Sequence, residues 1–283
     1  MATLQADTTS EQLTYPGLRE WNPKQFDAVY DQFVARDEIA FGDRQYYLRY
    51  RSRYKLCIER FAQLMPPNQR NVLDIGGGQL AMICMKLWGD RGTVVDLPGP
   101  HLDYMARHGV DIKVWNLCEE DAPFSDRFDF IFMSEVIEHI PIPGYIVLER
   151  LRKLLKPGGV LLCTTPNLYR IRNMIYMITG HQIFDHFQYP DRHISLSHVI
   201  EYSREHLEWQ FQRAGFSRCK VELVEMHHSV NNPFLRPLGW LRYPLYAVPR
   251  WRANLIATAY APAPDDAMAS REPWDVSQLC CSS

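Results

Sequence analysis

Apolar and polar residues alternate through the middle of the chain in a way that predicts strands and helices in turn. Short apolar runs that stop at glycine, aspartate or serine are typical of strands, and longer runs with apolar positions three or four residues apart are typical of helices. The predicted strands cover 71–75, 93–97, 111–117, 128–134, 160–165, 220–226 and 255–260, and the predicted helices cover 80–88, 101–108, 146–155 and 203–214. Because the two kinds of element alternate, we expect an α/β fold with a mostly parallel sheet and helices on both faces.

The pattern changes at both ends of this region and twice within it. An aromatic and charged segment comes first and stops at Pro66 and Pro67, which predicts a helical N-terminal cap. Regular alternation is lost again in two aromatic-rich stretches, which we expect to form a lid over a cleft. A final stretch with little pattern is expected to be flexible. We therefore predict a cap at 1–66, a main domain at 67–262 with lid insertions at 167–202 and 231–252, and a tail at 263–283.

Composition narrows the classes of protein to consider. Thirty-one Lys and Arg against 33 Asp and Glu give the 283-residue chain a net charge of −2, so it has no overall positive field that would attract nucleic acid or an anionic membrane. Hydrophobic residues make up 46% of the chain, which excludes a disordered protein. The sequence lacks an uncharged apolar run of 18 residues, so we expect no ordinary membrane-spanning helix. The polar start lacks the features of a secretory signal, and the seven cysteines are scattered. We therefore expect reduced, mostly buried thiols and a cytoplasmic protein.

A glycine-rich loop follows the first predicted strand. Three consecutive glycines stand where that strand turns into a helix, so the backbone can approach a nucleotide-like ligand closely. Gly76, Gly78 and Ala81 match the dinucleotide-binding pattern G-x-G-x-x-A. Asp96, at the end of the second strand, could bind two ribose hydroxyls. An NAD-dependent oxidoreductase therefore remains open at this point.

Three further features resemble the class I S-adenosylmethionine-dependent methyltransferases over roughly residues 45–262. Asp74 precedes Gly76 by two positions, as in that family's D-x-G-x-G motif, while 128–131 is similar to its fourth strand and 155–159 to its turn into strand five. The resemblance implies S-adenosylmethionine as cofactor. It also implies a Rossmann-like sheet of seven strands, mostly parallel with the last strand antiparallel.

The same resemblance implies where the cofactor binds. The loop glycines would face its methionine part, the acid of the second strand its ribose, the residues after the third strand its adenine edge, and the serine ending the fourth strand would lie below the sulfonium. Leu80 stands where the family often has another glycine, which predicts a wider turn or a bulkier wall. The implied cofactor-binding residues are Asp74, Gly76, Gly78, Asp96, Leu97, Leu117, Cys118 and Ser134.

A second constellation follows the fourth strand. If Glu135, Glu138 and His139 begin a helix, their spacing places them on one face, and two carboxylates with one imidazole suit Mg²⁺ or Mn²⁺. With His198 they resemble the E-x-x-E-H plus distal histidine of metal-dependent O-methyltransferases, both the ubiquinone-pathway enzymes and the small-RNA 2′-O-methyltransferases. In the latter the distal histidine precedes F-E-W-T-R-E, to which 200–205 is similar. The resemblance implies Glu135, Glu138, His139 and His198 as metal ligands.

These groups predict the chemistry of methyl transfer to oxygen. Methyl transfer from a sulfonium is an in-line displacement, and a divalent ion that binds two neighbouring substrate oxygens both orients them and lowers the pKa of the hydroxyl. We take His139 and Glu135 as the catalytic candidates. Without a metal, His139 would act as general base.

We therefore predict O-methylation of a hydroxyl on a small molecule, such as a natural product or a sugar-containing metabolite. N-methylation and an RNA 2′-hydroxyl target remain open, although the near-neutral charge argues against RNA. Outside this class, an NAD-dependent oxidoreductase and an inactive cofactor-binding partner of another enzyme also remain open.

Two further stretches bear on the substrate. Residues 43–60 combine arginines with tyrosines, which predicts either a site for an anion or sugar, or a solvated helix face whose aromatic rings pack on the core. Residues 233–251 combine aromatic residues, prolines and arginines. This composition suits a cap packed on its own domain, and it also leaves open a peripheral contact with a membrane surface.

Overall fold

A seven-stranded sheet forms the centre of the protein in the computed structural model, which describes residues 18–36, 44–119, 122–184, 197–226 and 248–263. Parts of the two predicted lid segments and most of the predicted tail lie outside these described residues. The helices are α1 Pro23–Phe33, α2 Arg44–Leu64, α3 Gln79–Trp88, α4 His101–Arg107, α5 Gly144–Leu154, α6 Ile171–Ile178 and α7 Arg204–Arg213. The strands are β1 Asn71–Ile75, β2 Arg91–Asp96, β3 Asp111–Val114, β4 Phe128–Ser134, β5 Leu155–Pro166, β6 Arg218–Val224 and β7 Asn254–Tyr260.

The sheet order is β3-β2-β1-β4-β5-β7-β6. The first five of these strands pair in parallel, whereas β7 is antiparallel to both β5 and β6. This arrangement confirms the predicted mostly parallel sheet with a reversed last strand. Chain connections leave in opposite directions from the neighbouring strands β1 and β4, so a crevice opens at their carboxyl ends. The candidate site lies at this edge of the sheet.

Helices cover both faces of the sheet, as the alternating pattern predicted. Apolar side chains of α1, α2, α3 and α4 pack with one face, including Phe130 and Phe132 of β4. Those of α5 and α7 pack with the other face, including Ile131 and Met133 from the same strand. The period of two along β4 therefore sends alternate residues into two separate cores.

The N-terminal helices are part of the first of these cores. Phe61 of α2 is fully buried, and its ring lies 4.9 Å from that of Phe130. Just before α1, the guanidinium of Arg19 binds both carboxylate oxygens of Asp90 at 2.7 and 2.8 Å, with both side chains fully buried. The predicted cap is thus joined to the sheet by apolar packing and by a buried ion pair.

Several element bounds differ from the prediction. Strand β3 ends at Val114 rather than at residue 117, because a turn follows it in which the amide of Cys118 donates to the side chain of Asn116. Helix α6 falls within 167–202, where no regular element was predicted; its eight residues are too short for a clear periodic signal. In the described part of the chain, no helix combines the length and apolar character needed to cross a membrane.

Candidate functional site

The loop after β1 consists of three glycines in the left-handed conformation. Gly76, Gly77 and Gly78 have φ angles of 80°, 82° and 81°, which other residues rarely adopt. A Cβ on Gly78 would stand 3.0 Å from the Cβ of Val94, so the loop also fits closely against β2. Helix α3 begins directly after the loop. The loop therefore presents bare backbone at the end of the sheet, as the sequence predicted.

Asp74 lies beneath this loop and holds the start of α3. Its Oδ2 accepts from the amides of Leu80 and Ala81 at 2.8 and 3.3 Å. Burial raises the pKa of Asp74 to about 8, although these two amide donors favour the charged form. Asp74 therefore ties the end of β1 to the start of α3 and supports the loop between them. Leu80, for which the resemblance predicted a wider turn or a bulkier wall, is buried in the core beneath the loop.

Asp96 connects the end of β2 to the glycine loop. Its Oδ2 accepts from the amide of Gly77 at 2.9 Å and lies 3.0 Å from Nε2 of His101, and its Oδ1 accepts from the amide of Leu97 at 2.7 Å. These contacts fix the carboxylate in one orientation, and the side chain remains 19% exposed. The side chain of Leu97 lies on the surface beside it, with the residue 45% exposed.

The other predicted cofactor-binding residues follow β3 and end β4. The carbonyl of Leu117 accepts from Arg150 at 2.7 Å, which ties this turn to α5. Cys118 is half-buried, and burial raises the pKa of its thiol. Ser134 is the last residue of β4. All eight predicted residues thus lie at or after the carboxyl ends of four adjacent strands, β3, β2, β1 and β4.

Glu135 departs from the predicted helix. It is the only non-glycine residue in the described ranges with a positive φ, at 56°, a conformation that costs energy and is typical of functional positions. Its amide donates to the carbonyl of Thr164 at 2.9 Å, and its Oε1 accepts from the Thr164 hydroxyl at 2.9 Å. Because that hydroxyl has only one hydrogen, it must accept from Ser134, whose Oγ is 2.9 Å away. A directed chain of hydrogen bonds therefore runs from Ser134 through Thr164 to Glu135.

Only the last three residues of the E-x-x-E-H motif form a helical turn, the 3-10 turn Ile137–His139, and the following α-helix begins at Gly144. The expected shared helix face is therefore wrong. The structure still brings together one potential ligand atom from each of Glu138, His139 and His198, all within 4.8 Å of one another. Glu135 stands apart from this cluster, because its backbone conformation directs the carboxylate to Thr164 and to Arg53, whose Nη1 lies 3.8 Å from Oε2.

Both histidines of the cluster are oriented through Nδ1. His139 Nδ1 lies 3.2 Å from the carbonyl of Ser197, and His198 Nδ1 lies 3.2 Å from Oε1 of Glu201. A carbonyl and a carboxylate can only accept, so each neutral ring carries its hydrogen on Nδ1 and a lone pair on Nε2. Metal-binding histidines commonly have this arrangement.

Glu138 supplies the third group of the cluster. It is fully buried, and its Oε2 accepts from the Thr165 hydroxyl at 3.0 Å. Its Oε1 is also buried, and no hydrogen bond to it comes from the described residues. Burial, reinforced by the charge of Glu135, raises the pKa of Glu138 well above its usual value. An unsatisfied buried oxygen is costly, and a bound cation would satisfy it.

Further residues around the cluster carried little signal in the sequence. Arg53 of α2 is buried beside Glu135, where its guanidinium lies over the ring of Tyr54 and its Nη2 donates to the hydroxyl of Tyr46 at 3.1 Å. The basic, tyrosine-rich stretch therefore places at least one arginine inside the protein. Glu201 was visible only as one letter of the motif similar to F-E-W-T-R-E. Burial would raise the pKa of Glu201, but the hydrogen bond from His198 and the charge of Arg170 outweigh it and lower the pKa.

Comparison with known proteins identifies the family to which the chain belongs. Residues 47–220, more than half of the chain, match the family model described as a methyltransferase domain. A ubiquinone biosynthesis O-methyltransferase from Xanthomonas oryzae pv. oryzae is 38% identical over 104 residues, which cover 34% of this chain and 43% of that protein. The chain thus spans less than half the length of this curated relative.

Solved structures share the fold at low sequence identity. The complex between the Haloferax volcanii Trm112 methyltransferase activator and a methyltransferase contains a chain with a TM-score of 0.56 and 17% identity, covering 83% of this chain and 96% of that one. A SAM-dependent methyltransferase from Thermotoga maritima gives a TM-score of 0.52 and 16% identity, covering 83% and 99%. The family match decides between the two interpretations of the glycine loop that the sequence left open. The chain therefore belongs to the family described as a methyltransferase domain.

Proposed function

We propose that the protein transfers a methyl group to a hydroxyl of a small molecule and that a divalent cation, Mg²⁺ or Mn²⁺, assists. The observation that carries this proposal is the convergence of the unsatisfied Oε1 of Glu138 with the two imidazoles of His139 and His198. One carboxylate and two neutral imidazoles can hold a divalent ion such as Mn²⁺, and Mg²⁺ would take its remaining ligands from water and acceptor oxygens. The name of the Xanthomonas relative, an O-methyltransferase, agrees with an oxygen acceptor.

The cofactor would bind along the ends of β1 to β4. The bare backbone of Gly76 and Gly78 would face its methionine part, and the fixed carboxylate of Asp96 would accept from the ribose hydroxyls. Leu97, Leu117 and Cys118 would border the adenine, and Ser134 would lie below the sulfonium. When bound, the cofactor supplies a methyl group on a positively charged sulfur. The protein's own part is to hold that group in line with the acceptor oxygen.

The acceptor would bind between the cofactor and the cluster of Glu138, His139 and His198. A divalent ion held by Glu138, His139 and His198 would orient two acceptor oxygens and lower the pKa of the hydroxyl. We assign Glu135, which the resemblance also implied as a metal ligand, to the acceptor side of the site, because Thr164 and Arg53 already hold its carboxylate. There Glu135 could take the hydroxyl proton while His139 holds the ion, whereas without an ion the free Nε2 of His139 could take it.

The experiment follows label from the cofactor. The purified protein is incubated with methyl-labelled S-adenosylmethionine and a small-molecule extract, first with chelator and then with added Mn²⁺ or Mg²⁺. We expect transfer to be lost in chelator and restored by either ion. His139→Ala should abolish transfer but keep cofactor binding, and His181→Ala, which changes an exposed histidine away from the cluster, should change neither.

Each part of the proposal has its own contradicting result. Full activity in chelator would remove the metal and leave His139 as a general base. A fully active His139→Ala variant would remove both roles of that residue. A label found on nitrogen, or on RNA, would replace the hydroxyl acceptor of a small molecule with one of the alternatives from the sequence.

A further inference from the structure

Glu201 is the centre of a buried polar network behind His198. It is 3% exposed, and its Oε1 accepts from Nη2 of Arg170 in a short contact and from Nδ1 of His198 at 3.2 Å. Its Oε2 accepts from Nδ2 of Asn173 at 2.6 Å. Arg170 also donates through Nε to Oδ1 of Asn173 at 3.3 Å, so the three side chains support one another.

This network is attached to the end of β5. The amide of Leu168 donates to the carbonyl of Tyr202 at 2.9 Å, and Asn167 forms a bridge with the same tyrosine. On the other side, the amides of Val199 and Ile200 approach the carbonyl of Glu138 at 2.8 and 3.3 Å. The backbone around His198 is therefore held between the strand that carries Thr165 and the turn that carries Glu138.

We propose that Glu201 is the positioning residue for His198, in that it fixes the ring and its tautomer so that Nε2 carries the lone pair toward Glu138 and His139. This inference rests on the proposed metal site and extends it to a residue that touches neither ion nor substrate. The reason is chemical. A carboxylate that already receives donors from Arg170 and Asn173 can only accept from His198, so the ring must place its hydrogen on Nδ1.

Four variants separate positioning from simple structural support. Glu201→Met removes the acceptor, and Glu201→Gln keeps an oxygen where Oε1 alone now serves both Arg170 and His198. Arg170→Met keeps the contact between Glu201 and His198 and serves as the matched control. The double variant Arg170→Met/Glu201→Met removes both charges together, so that neither is left buried alone.

The first measurement is the Mn²⁺ affinity of the full chain, obtained from the electron paramagnetic resonance signal of free Mn²⁺. We expect Glu201→Met and the double variant to bind Mn²⁺ about 10- to 100-fold more weakly than the wild type. Glu201→Gln should lose less, and Arg170→Met should keep the wild-type affinity. Thermal unfolding in chelator shows that each variant is folded. Equal affinity in the wild type, Glu201→Met and the double variant would overturn the inference.

The second measurement needs no metal. Long-range ¹H–¹⁵N spectra of histidine-labelled protein in chelator report which ring nitrogen carries hydrogen. We expect His198 to show the Nδ1–H tautomer in the wild type and in Arg170→Met, and a mixture in Glu201→Met. A mixture already present in the wild type would overturn the inference. If instead the wild type binds no Mn²⁺ at all, the proposed metal site fails, and the positioning of His198 for an ion fails with it.

Discussion

Asp74 gives the sharpest prediction, because its burial should make the stability of the protein depend on pH. The carboxyl group is buried under the glycine loop, and no Lys, Arg or His of the described residues forms an ion pair with it. Its pKa is raised to about 8, against about 3.9 in an unfolded chain. Asp74→Asn keeps an oxygen that can accept from Leu80 and Ala81 but removes the titration.

The sign follows from where the proton is bound. Between about pH 4 and pH 8 the folded protein keeps a proton on Asp74 that the unfolded chain releases, so stability falls as pH rises, by about 1.4 kcal/mol per pH unit. From pH 5 to pH 8 the wild type should therefore lose about 4 kcal/mol relative to Asp74→Asn. Above the folded pKa the difference should become constant.

Urea unfolding at pH 5, 6, 7 and 8 measures this difference directly. Asp103→Asn, which neutralises an exposed aspartate on α4, is the control and should run parallel to the wild type. If Asp74→Asn also runs parallel, Asp74 is ionised in the folded protein. In that case the two amide donors and the start of α3 outweigh the cost of burial, and the reasoning from burial is refuted.

Three further predictions test other parts of the fold and site. Asp96→Ala should weaken binding of S-adenosylhomocysteine by about 10- to 100-fold in calorimetry, since hydrogen bonds from the ribose to a charged acceptor are lost; unchanged affinity would contradict the assignment to ribose. Arg19→Met should lower the free energy of unfolding in urea by about 3–5 kcal/mol, because it leaves the carboxylate of Asp90 buried without its charge partner. A loss below about 1 kcal/mol would show that water reaches the carboxylate of Asp90. Gly89→Ala should lower the free energy of unfolding by about 1 kcal/mol, because Gly89 has a φ of 70° but open space around it. Gly78→Ala should lower it by at least about twice as much, because a Cβ there also meets Val94 of β2 at 3.0 Å. Equal losses in thermal unfolding would contradict the close fit of the loop against β2.

The sequence predicts best where the signal is local. Every strand of the sheet was found, because apolar runs bounded by glycine and polar residues depend on neighbouring positions only. The loop glycines were found for the same reason, since three glycines directly after a strand indicate a turn with positive φ angles, which other residues rarely adopt. The 3-10 turn at Ile137–His139 was not predicted, because the spacing of its residues suits an α-helix equally well. The positive φ of Glu135 directs its carboxylate to Thr164 and away from Glu138 and His139, and the spacing of the residues gives no signal for that angle.

Contacts between distant segments gave no such signal. Arg53 belongs to a helix that precedes the sheet, yet its guanidinium lies beside Glu135. The contact between His198 and Glu201 spans only three residues, but the Arg170 and Asn173 that hold Glu201 come from α6, an element absent from the predicted pattern. Such networks depend on how elements pack, and packing is set by the whole fold.

The way α2 is held to the sheet also bears on protein engineering. Phe61 and the neighbouring side chains of α2 cover the rings of Phe130 and Phe132. A fragment starting at Pro66 would therefore expose a large hydrophobic surface to solvent. We expect such a fragment to precipitate on expression. Chimeras between methyltransferase domains should therefore be joined before Arg19, so that the sheet and the helices that cover it come from the same protein.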